Sequence, residues 1–447
     1  MNHLLCGLAA NPALPPELVD RLLTRALKEA GTQPDAPRDY ADELLYDLAG
    51  RTDLRRDQVL ALAAYARSTA TYLAYHGTLT ADDVDPLCWP YAAVALIDEG
   101  RGHPEWPLLL AAHPDAEIRW KLASCPGLPP DAVDLLAADP DVEIVQELAH
   151  WTDSPVTARL ALHPDPQVRL AVSANPSTPL EVVLALAEDP ELALGWALHE
   201  RPDLPQALYA RLVAEAHPGL RATYASNPGI GQELIRLLAA DPEIQVRRAV
   251  AEHPHVPLDL LVELVVGDRA AWNVLPRIAA ATPAELAELA GSRHGPVRML
   301  VGQRRDLPPE LRDALAVDPD ASVVRAVARH PGLSEELLRA MIARHGEQVL
   351  AAVAANPDAS GPLLEHVTQH RPGVRKALKE VAKHPNATGP ALLPCLAHRT
   401  SRPLAAAHPA LPPEAITELL ADEDHRVASE AAGNPSLPRA VMVELMP

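Results

Sequence analysis

The sequence predicts an all-α fold, a solenoid of helix-turn-helix repeats that are each about 26 residues long. The first observation is the period, because proline recurs at positions 176, 202, 228 and 254, in steps of 26 residues. A fixed period of this size is typical of a solenoid, in which each repeat buries its apolar face against its neighbours. The second observation is that helical periodicity fills the intervals. By period alone a HEAT-like α-solenoid is an alternative, although those repeats are usually longer.

The elements of one repeat can be read in order from Asn175. The repeat opens with the turn Asn-Pro-Ser-Thr-Pro. Thr178 is suited to cap a helix, and Pro179 is suited to its first position. Leucine and valine then recur at helical spacing until Asp189, which is followed by proline. Asp189 is expected to cap a second helix that ends before Pro202, so each repeat is predicted to be a pair of short helices.

The stretches 163–176 and 241–254 carry the same pattern, from a turn proline through Val-Arg to the next turn. In this they resemble the leucine-rich repeat variant family. The resemblance covers nearly all of the chain from about residue 104 onward and, more loosely, 11–25 and 51–62. It implies paired short helices, some of them 3₁₀, that stack into a right-handed superhelix. A known member also has a cysteine-rich iron–sulfur segment at its N-terminus, but Cys6 stands alone here, so only the fold is carried over.

Composition restricts both the core and the partners. Phenylalanine is absent and aromatic residues make up 3% of the chain, so leucine, valine and alanine must fill the interior. The net charge of −21 disfavours nucleic acid and anionic lipid surfaces. The apolar window 258–266 contains acidic residues and is too short to span a bilayer, and no basic leader precedes Leu4. These features predict a cytoplasmic protein without a membrane segment.

The regularity of the pattern predicts two regions. Residues 104–447 form a regular, proline-punctuated array, whereas 1–103 form an N-terminal capping region with degenerate repeats. The array is irregular at 267–305, where a kink or a small insertion is expected. Arginines also gather there, and one interpretation is a basic patch for an acidic partner, although Glu285 and Glu288 can neutralise it. These arginines are Arg269, Arg277, Arg293, Arg298, Arg304 and Arg305.

Aromatic and acidic residues are concentrated in the predicted capping region. Six of the eight tyrosines precede residue 92. One interpretation is that they form the core of atypical terminal repeats. The other is a tyrosine-lined acidic surface for a basic or polar peptide, because tyrosine combines a large contact area with a polar tip. The candidate binding residues are Tyr40, Tyr46, Tyr72, Tyr75 and Trp89.

Arginine recurs at one position of the repeat, seven residues before the turn. Stacked repeats would align these side chains in a broken column, with Val145, Gly195 and Leu350 at the missing positions. The structural interpretation is that they bind carboxylates or carbonyls of adjacent turns. The functional interpretation is a recognition strip for carboxylate or phosphate groups. The four arginines are Arg119, Arg169, Arg247 and Arg298.

Histidine precedes proline at several turns, as at His330 and His408. These histidines are expected to cap helices or turns. Because the positive end of a helix disfavours a cation, folding is expected to lower the pKa of several of them.

No motif indicates a cofactor, a metal or a catalytic residue. The four cysteines lack CxxC spacing, and His366 and His370, four residues apart, lack both a third ligand and the HExxH pattern. The sequence contains no GxGxxG, Walker or GxSxG motif. We therefore predict a non-enzymatic scaffold that presents an extended curved surface to a protein or peptide, with the oligomeric state left open. The alternatives are a helical-repeat protein that binds or repairs nucleic acid, and an enzyme whose site is assembled from separate repeats.

Overall fold

The computed structural model describes residues 2–30, 43–268, 274–370 and 373–446. These residues form short helices joined by turns, and no β-strand occurs among them. The predicted all-α helical-repeat fold is confirmed. The right-handed superhelix stays a prediction. No helix in the described ranges is both long enough and apolar enough to cross a membrane.

The chain divides into two compact units. The split unit comprises Met1–Arg25 and Ala239–Pro447, and the continuous unit comprises Ala26–Leu238. The predicted division of the chain at residue 103 stays a prediction.

The helices up to residue 239 are α1 (Asn2–Ala10), α2 (Pro16–Ala30), α3 (Glu43–Ala49), α4 (Arg56–Tyr65), α5 (Arg67–Tyr75), α6 (Pro90–Asp98), α7 (Trp106–Ala111), α8 (Ala116–Ala123), α9 (Pro130–Ala137), α10 (Val142–Trp151), α11 (Thr157–Leu160), α12 (Pro166–Ala174), α13 (Leu180–Leu186), α14 (Leu194–Ala197), α15 (Gln206–Glu215), α16 (Pro218–Ala225) and α17 (Gln232–Ala239). The later helices are α18 (Ile244–Ala251), α19 (Leu258–Asp268), α20 (Pro276–Ala279), α21 (Pro283–Ala290), α22 (Gly295–Gln303), α23 (Pro309–Ala316), α24 (Ala321–Val327), α25 (Glu335–His345), α26 (Glu347–Ala354), α27 (Gly361–Thr368), α28 (Arg375–Val381), α29 (Gly389–Leu392), α30 (Arg402–Ala406), α31 (Pro413–Leu419), α32 (His425–Ala432) and α33 (Arg439–Glu444). Two 3₁₀ helices are η1 (Ala81–Asp83) and η2 (Leu393–Ala397).

Each repeat consists of a turn, a first helix and a second helix, as in the pair α9 and α10. Second helices pack on one another along each unit. In the continuous unit, α3, α5, α6, α8, α10, α12 and α14 contact one another in this order. We call this set the second-helix layer. Leucine, valine and alanine fill the space between the helices, as the composition predicts. The apolar side chains thus occupy the inward positions of the second helices, and the outward positions can carry polar and aromatic side chains.

The two helix caps predicted in the repeat at Asn175 are wrong. Thr178 is buried, and its hydroxyl donates a hydrogen bond to the Val172 carbonyl at 2.7 Å. The N-cap position of α13 is occupied by Pro179, and no side chain caps this helix. Asp189 accepts a hydrogen bond from the Glu191 backbone N–H at 3.0 Å within the turn, and α14 begins only at Leu194. In both cases a contact that stabilises the turn replaces the predicted cap.

One repeat of the split unit is assembled from segments at opposite ends of the sequence. The first helix α33 follows Asn434, and the helix that packs against α32 at the next position is α1. The Asn11 side chain donates to the carbonyls of Ala432 and Asn434 at 3.0 and 2.7 Å. Asn434 makes the same pair of contacts one repeat earlier, with the carbonyls of Ala406 and His408 at 2.7 and 2.9 Å. Residues 2–25 therefore continue the repeats beyond Asn434.

Candidate functional site

The arginine column binds the turns of its own array. The Arg119 guanidinium donates to the Asp139 carboxylate at 2.7 and 3.2 Å and to the His113 carbonyl at 2.7 Å. The carbonyl lies 6 residues before the arginine and the carboxylate lies 20 residues after it. Since these positions are one repeat apart, the arginine joins two consecutive turns.

Arg169 and Arg298 repeat this geometry. Arg169 binds Asp189 at 2.8 Å and the His163 carbonyl at 2.8 Å, and Arg298 binds Asp318 at 2.7 Å and the Ser292 carbonyl at 2.8 Å. Arg247 donates to the Asp241 carbonyl at 2.8 Å. The guanidinium groups of Arg119, Arg169 and Arg298 hold repeats together, as the structural interpretation states. A role in recognising a ligand stays a prediction.

Three arginines of the irregular segment are also paired with acids. Arg277 forms an ion pair with Glu285, and Arg304 binds Asp306 at 2.6 Å. Arg269 lies outside the described residues. Since Arg298 binds Asp318, three members of the predicted basic patch are neutralised by neighbouring carboxylates.

Three of the predicted aromatic residues come together on the second-helix layer. Tyr46 lies on α3, and Tyr72 and Tyr75 lie on α5. The ring centroids of Tyr46 and Tyr72 are 4.9 Å apart, and those of Tyr72 and His76 are 4.1 Å apart. Tyr46 is 47% exposed and Tyr75 is 43% exposed. These two rings are therefore part of the surface and not of the core.

A groove of about 570 Å³ runs over these tyrosines. Tyr91, on α6, is the fourth tyrosine of the groove and was not among the predicted binding residues. The Arg67 guanidinium lies 4.2 Å from the centroid of the Tyr91 ring, and the Lys121 ammonium lies 5.8 Å from it. We call this site the tyrosine groove. Its lining residues are Tyr46, Arg67, Ser68, Thr71, Tyr72, Tyr75, Tyr91, Glu117 and Lys121.

Trp89 does not line the tyrosine groove. It lines a neighbouring pocket of about 310 Å³ whose other apolar residues are mainly alanines of α4, α5 and α6, with Leu87 at the rim. Arg67 and Tyr91 line both cavities, so the pocket and the groove are contiguous. The remaining predicted residue, Tyr40, lies outside the described residues.

Two phenols of the groove have raised pKa values. Partial burial, together with the nearby Asp98 carboxylate, raises the pKa of Tyr75 to about 12. Burial likewise raises the pKa of Tyr91 to about 12, where Glu117 is also close. Both hydroxyls therefore remain available as hydrogen-bond donors, and both rings remain neutral. The groove offers aromatic faces, hydroxyl groups and a few charges of both signs.

The fold and this surface define a helical-repeat protein that exposes a groove on one layer of its helices. Within that class, residues 166–191 match the leucine rich repeat variant family, which confirms the resemblance seen in the sequence. The matched segment contains α12 and α13, together with Arg169 and the turn at Asn175. No curated protein matches the chain.

Proposed function

We propose that the protein is a non-enzymatic scaffold that binds a protein or peptide segment in the tyrosine groove. The observation that carries this proposal is that four tyrosines from three successive second helices line one open groove. The repeat architecture supports it, because stacked repeats provide long surfaces from recurring positions. Tyrosine is also enriched in protein interfaces, where its ring supplies contact area and its hydroxyl a hydrogen bond.

The groove also fits this role better than catalysis. Catalysis needs a nucleophile or an acid and base held against each other, whereas the raised pKa values of Tyr75 and Tyr91 disfavour a phenolate that could act as base or nucleophile. Arg67 and Lys121 are placed against the face of Tyr91. The charge of −21 supports a partner other than nucleic acid. A cytoplasmic location stays a prediction.

Site-specific photo-cross-linking tests this proposal. A photoreactive amino acid replaces Thr71, which lines the groove, and in a control protein it replaces Val317, which is 54% exposed in the split unit. We expect a discrete protein adduct in the cell of origin from the Thr71 site alone. The adduct should disappear when Tyr72→Ala and Tyr75→Ala are added. The same adducts from both sites, or an adduct that is insensitive to the tyrosine substitutions, would contradict the proposal.

A further inference from the structure

In the part of the chain that the structure describes, exposed tyrosine and tryptophan side chains are confined to one layer of helices. Among the described residues, the tyrosines and tryptophans with strongly exposed side chains all lie on second helices of the continuous unit. They lie on α3, α5, α8, α10 and α14, which belong to one consecutively packed layer. We call them the aromatic track. Its members are Tyr46 (47% exposed), Tyr75 (43%), Trp120 (39%), Trp151 (54%) and Trp196 (55%).

The track is continuous with the tyrosine groove. The Lys121 ammonium is 5.8 Å from the ring of Tyr91 and also 5.8 Å from the ring of Trp120. One cation therefore links the groove to the first tryptophan of the track. The next second helix, α10, packs against α8 and carries Trp151.

The aromatic faces of this surface already hold cations. Arg67 lies over Tyr91 at 4.2 Å, and Lys121 lies near Tyr91 and Trp120. Such contacts arise because the face of an aromatic ring is electron-rich and attracts ammonium and guanidinium groups. The exposed rings of Tyr75, Trp120 and Trp151 offer the same attraction to cations of a partner.

Carboxylates accompany the track and favour a basic partner. Asp98 and Glu99 act on the phenol of Tyr75, and Glu117 acts on that of Tyr91. Glu147 accepts a hydrogen bond from the Trp151 indole at 3.0 Å. Glu143 is exposed on the same helix as Trp151. A cation that docks on the ring of Tyr75 or Trp151 therefore finds a carboxylate close by, and both interactions favour the same charge.

We infer that the aromatic track binds an extended basic peptide segment, whose lysine or arginine side chains lie against Tyr75, Trp120 and Trp151. This inference rests on the proposed function and names the chemistry of its partner. Packed helices are about 8–10 Å apart, and an extended chain advances about 3.3 Å per residue. One second helix thus corresponds to about three residues of ligand. Trp151 lies one second helix beyond Trp120, and Tyr75 lies two before it, so basic residues spaced by multiples of three match the track.

Fluorescence anisotropy with labelled model peptides tests the inference. The probes are an extended peptide with lysine at every third position, its counterpart with glutamate at those positions, and one of the lysine composition with all lysines at one end. We expect the spaced-lysine peptide to bind at least about tenfold more tightly than the other two, because only its lysines reach two or three rings of the track at once.

Variants of the full chain separate the track from simple attraction to the negative protein. Trp120→Ala with Trp151→Ala leaves the charge unchanged and should weaken binding of the spaced-lysine peptide by about tenfold. The control Leu162→Ala removes an 85% exposed apolar side chain outside the second helices and should have no effect. Circular dichroism verifies that both proteins fold.

Each outcome decides between the two proposals. If the glutamate peptide binds, and if the double variant Tyr72→Ala, Tyr75→Ala abolishes that binding, the basic-partner inference is overturned and the tyrosine groove remains a binding site. Equal binding of all peptides, binding that is unchanged in the tryptophan variant, or no binding of the lysine peptide would also overturn it.

Discussion

At the scale of single residues, the residue before a turn proline joins neighbouring repeats at several turns. The Asn356 side chain donates to the carbonyls of Ala328 and His330 at 2.7 Å each and accepts from the Asp358 backbone N–H at 2.8 Å. His330 and Arg201 occupy equivalent turns and also donate to a carbonyl of the preceding repeat. The choice of asparagine, histidine or arginine before proline thus reflects their ability to donate across a repeat boundary.

Replacing Asn356 with alanine tests this contact. The substitution leaves two buried carbonyls without their donor, and we expect a loss of stability of about 2–4 kcal/mol. Hydrogen exchange of the amides in α24 and α26 measures it, because the loss should be local to the adjoining repeats. The control is Asn386→Ala, which removes an exposed side chain with one donation, to the Ala359 carbonyl at 3.1 Å. Equal exchange rates in both variants would contradict the assignment.

The turn histidines make stability depend on pH. Burial lowers the pKa of His330 and of His408 below the ordinary value of 6.5. The direction agrees with the sequence-based hypothesis, but the main cause is burial and not the helix dipole. Since the folded state disfavours the proton, the contribution of these histidines is complete above about 6.5 and is lost as the pH falls towards the folded pKa.

The double variant His330→Asn, His408→Asn isolates this effect, because asparagine occupies the same turn position at Asn356 without titrating near neutrality. The unfolding temperature of the natural protein should fall as the pH is lowered from 7.5 to 5.5. The unfolding temperature of the variant should fall less over the same interval. Identical slopes for the two proteins would show that other groups cause the pH dependence.

At the scale of helices, an arginine on the second helix binds that helix to two turns. Arg298 and its partner Asp318 form a largely buried ion pair, because their side chains are 15% and 6% exposed. A buried ion pair of this kind is costly to break, since removal of one member leaves the other charge buried and unpaired. The cost of losing this pair explains why arginine recurs at this position of the repeat. From the sequence alone, the same recurrence could also indicate a strip that recognises a ligand.

Arg298→Gln should therefore destabilise the adjoining repeats by about 3–5 kcal/mol. The pKa of Asp318 should rise, because the hydrogen bond from Arg298 is one cause of its lowered value. Urea unfolding and carboxyl NMR titration measure the two effects. The control is Arg339→Gln, whose pair with Glu335 is 42% and 44% exposed and is worth less than about 1 kcal/mol. An Arg298 variant as stable as this control would contradict the assigned role.

At the scale of the whole molecule, the split unit joins segments from both ends of the sequence. Besides the Asn11 contacts, Arg439 of α33 forms an ion pair with Glu17 of α2. Gly7 lies so close to α32 that a Cβ there would approach the Ser429 carbonyl oxygen to 2.1 Å. Helix α1 can therefore pack at this distance only with glycine at position 7.

Gly7→Ala should displace α1 from α32, although alanine by itself favours a helix. We expect faster hydrogen exchange in α32 and α33 and a lower unfolding temperature. Gly267→Ala provides the control, because Gly267 also lies in a helix and an added Cβ there meets no atom within 4 Å. This control should be neutral or slightly stabilising. Unchanged protection of α32 in the Gly7 variant would contradict the close packing.

For particular residues, the sequence predicted membership of the candidate site but not the contacts between side chains. Tyr46, Tyr72 and Tyr75 were predictable because tyrosines crowd one region, but their common groove with Lys121 depends on the stacking of four helices. Trp120 follows Arg119 and Trp196 follows Gly195, so their shared repeat position was a readable signal for the aromatic track. The caps at Thr178 and Asp189 were mistaken because a local pattern does not reveal which carbonyl or N–H lies nearest in space.

The sequence by itself determined the helical repeat, because helix periodicity and proline position act within a few residues of each other. Only the tertiary structure decided which side chains meet across repeats and that α1 completes the repeat begun at Asn434. Asn11 and its acceptor Ala432 are 421 residues apart in the chain, and no local preference encodes such a pairing. It follows from the packing of apolar faces, which bring matching turns together whatever their distance in sequence.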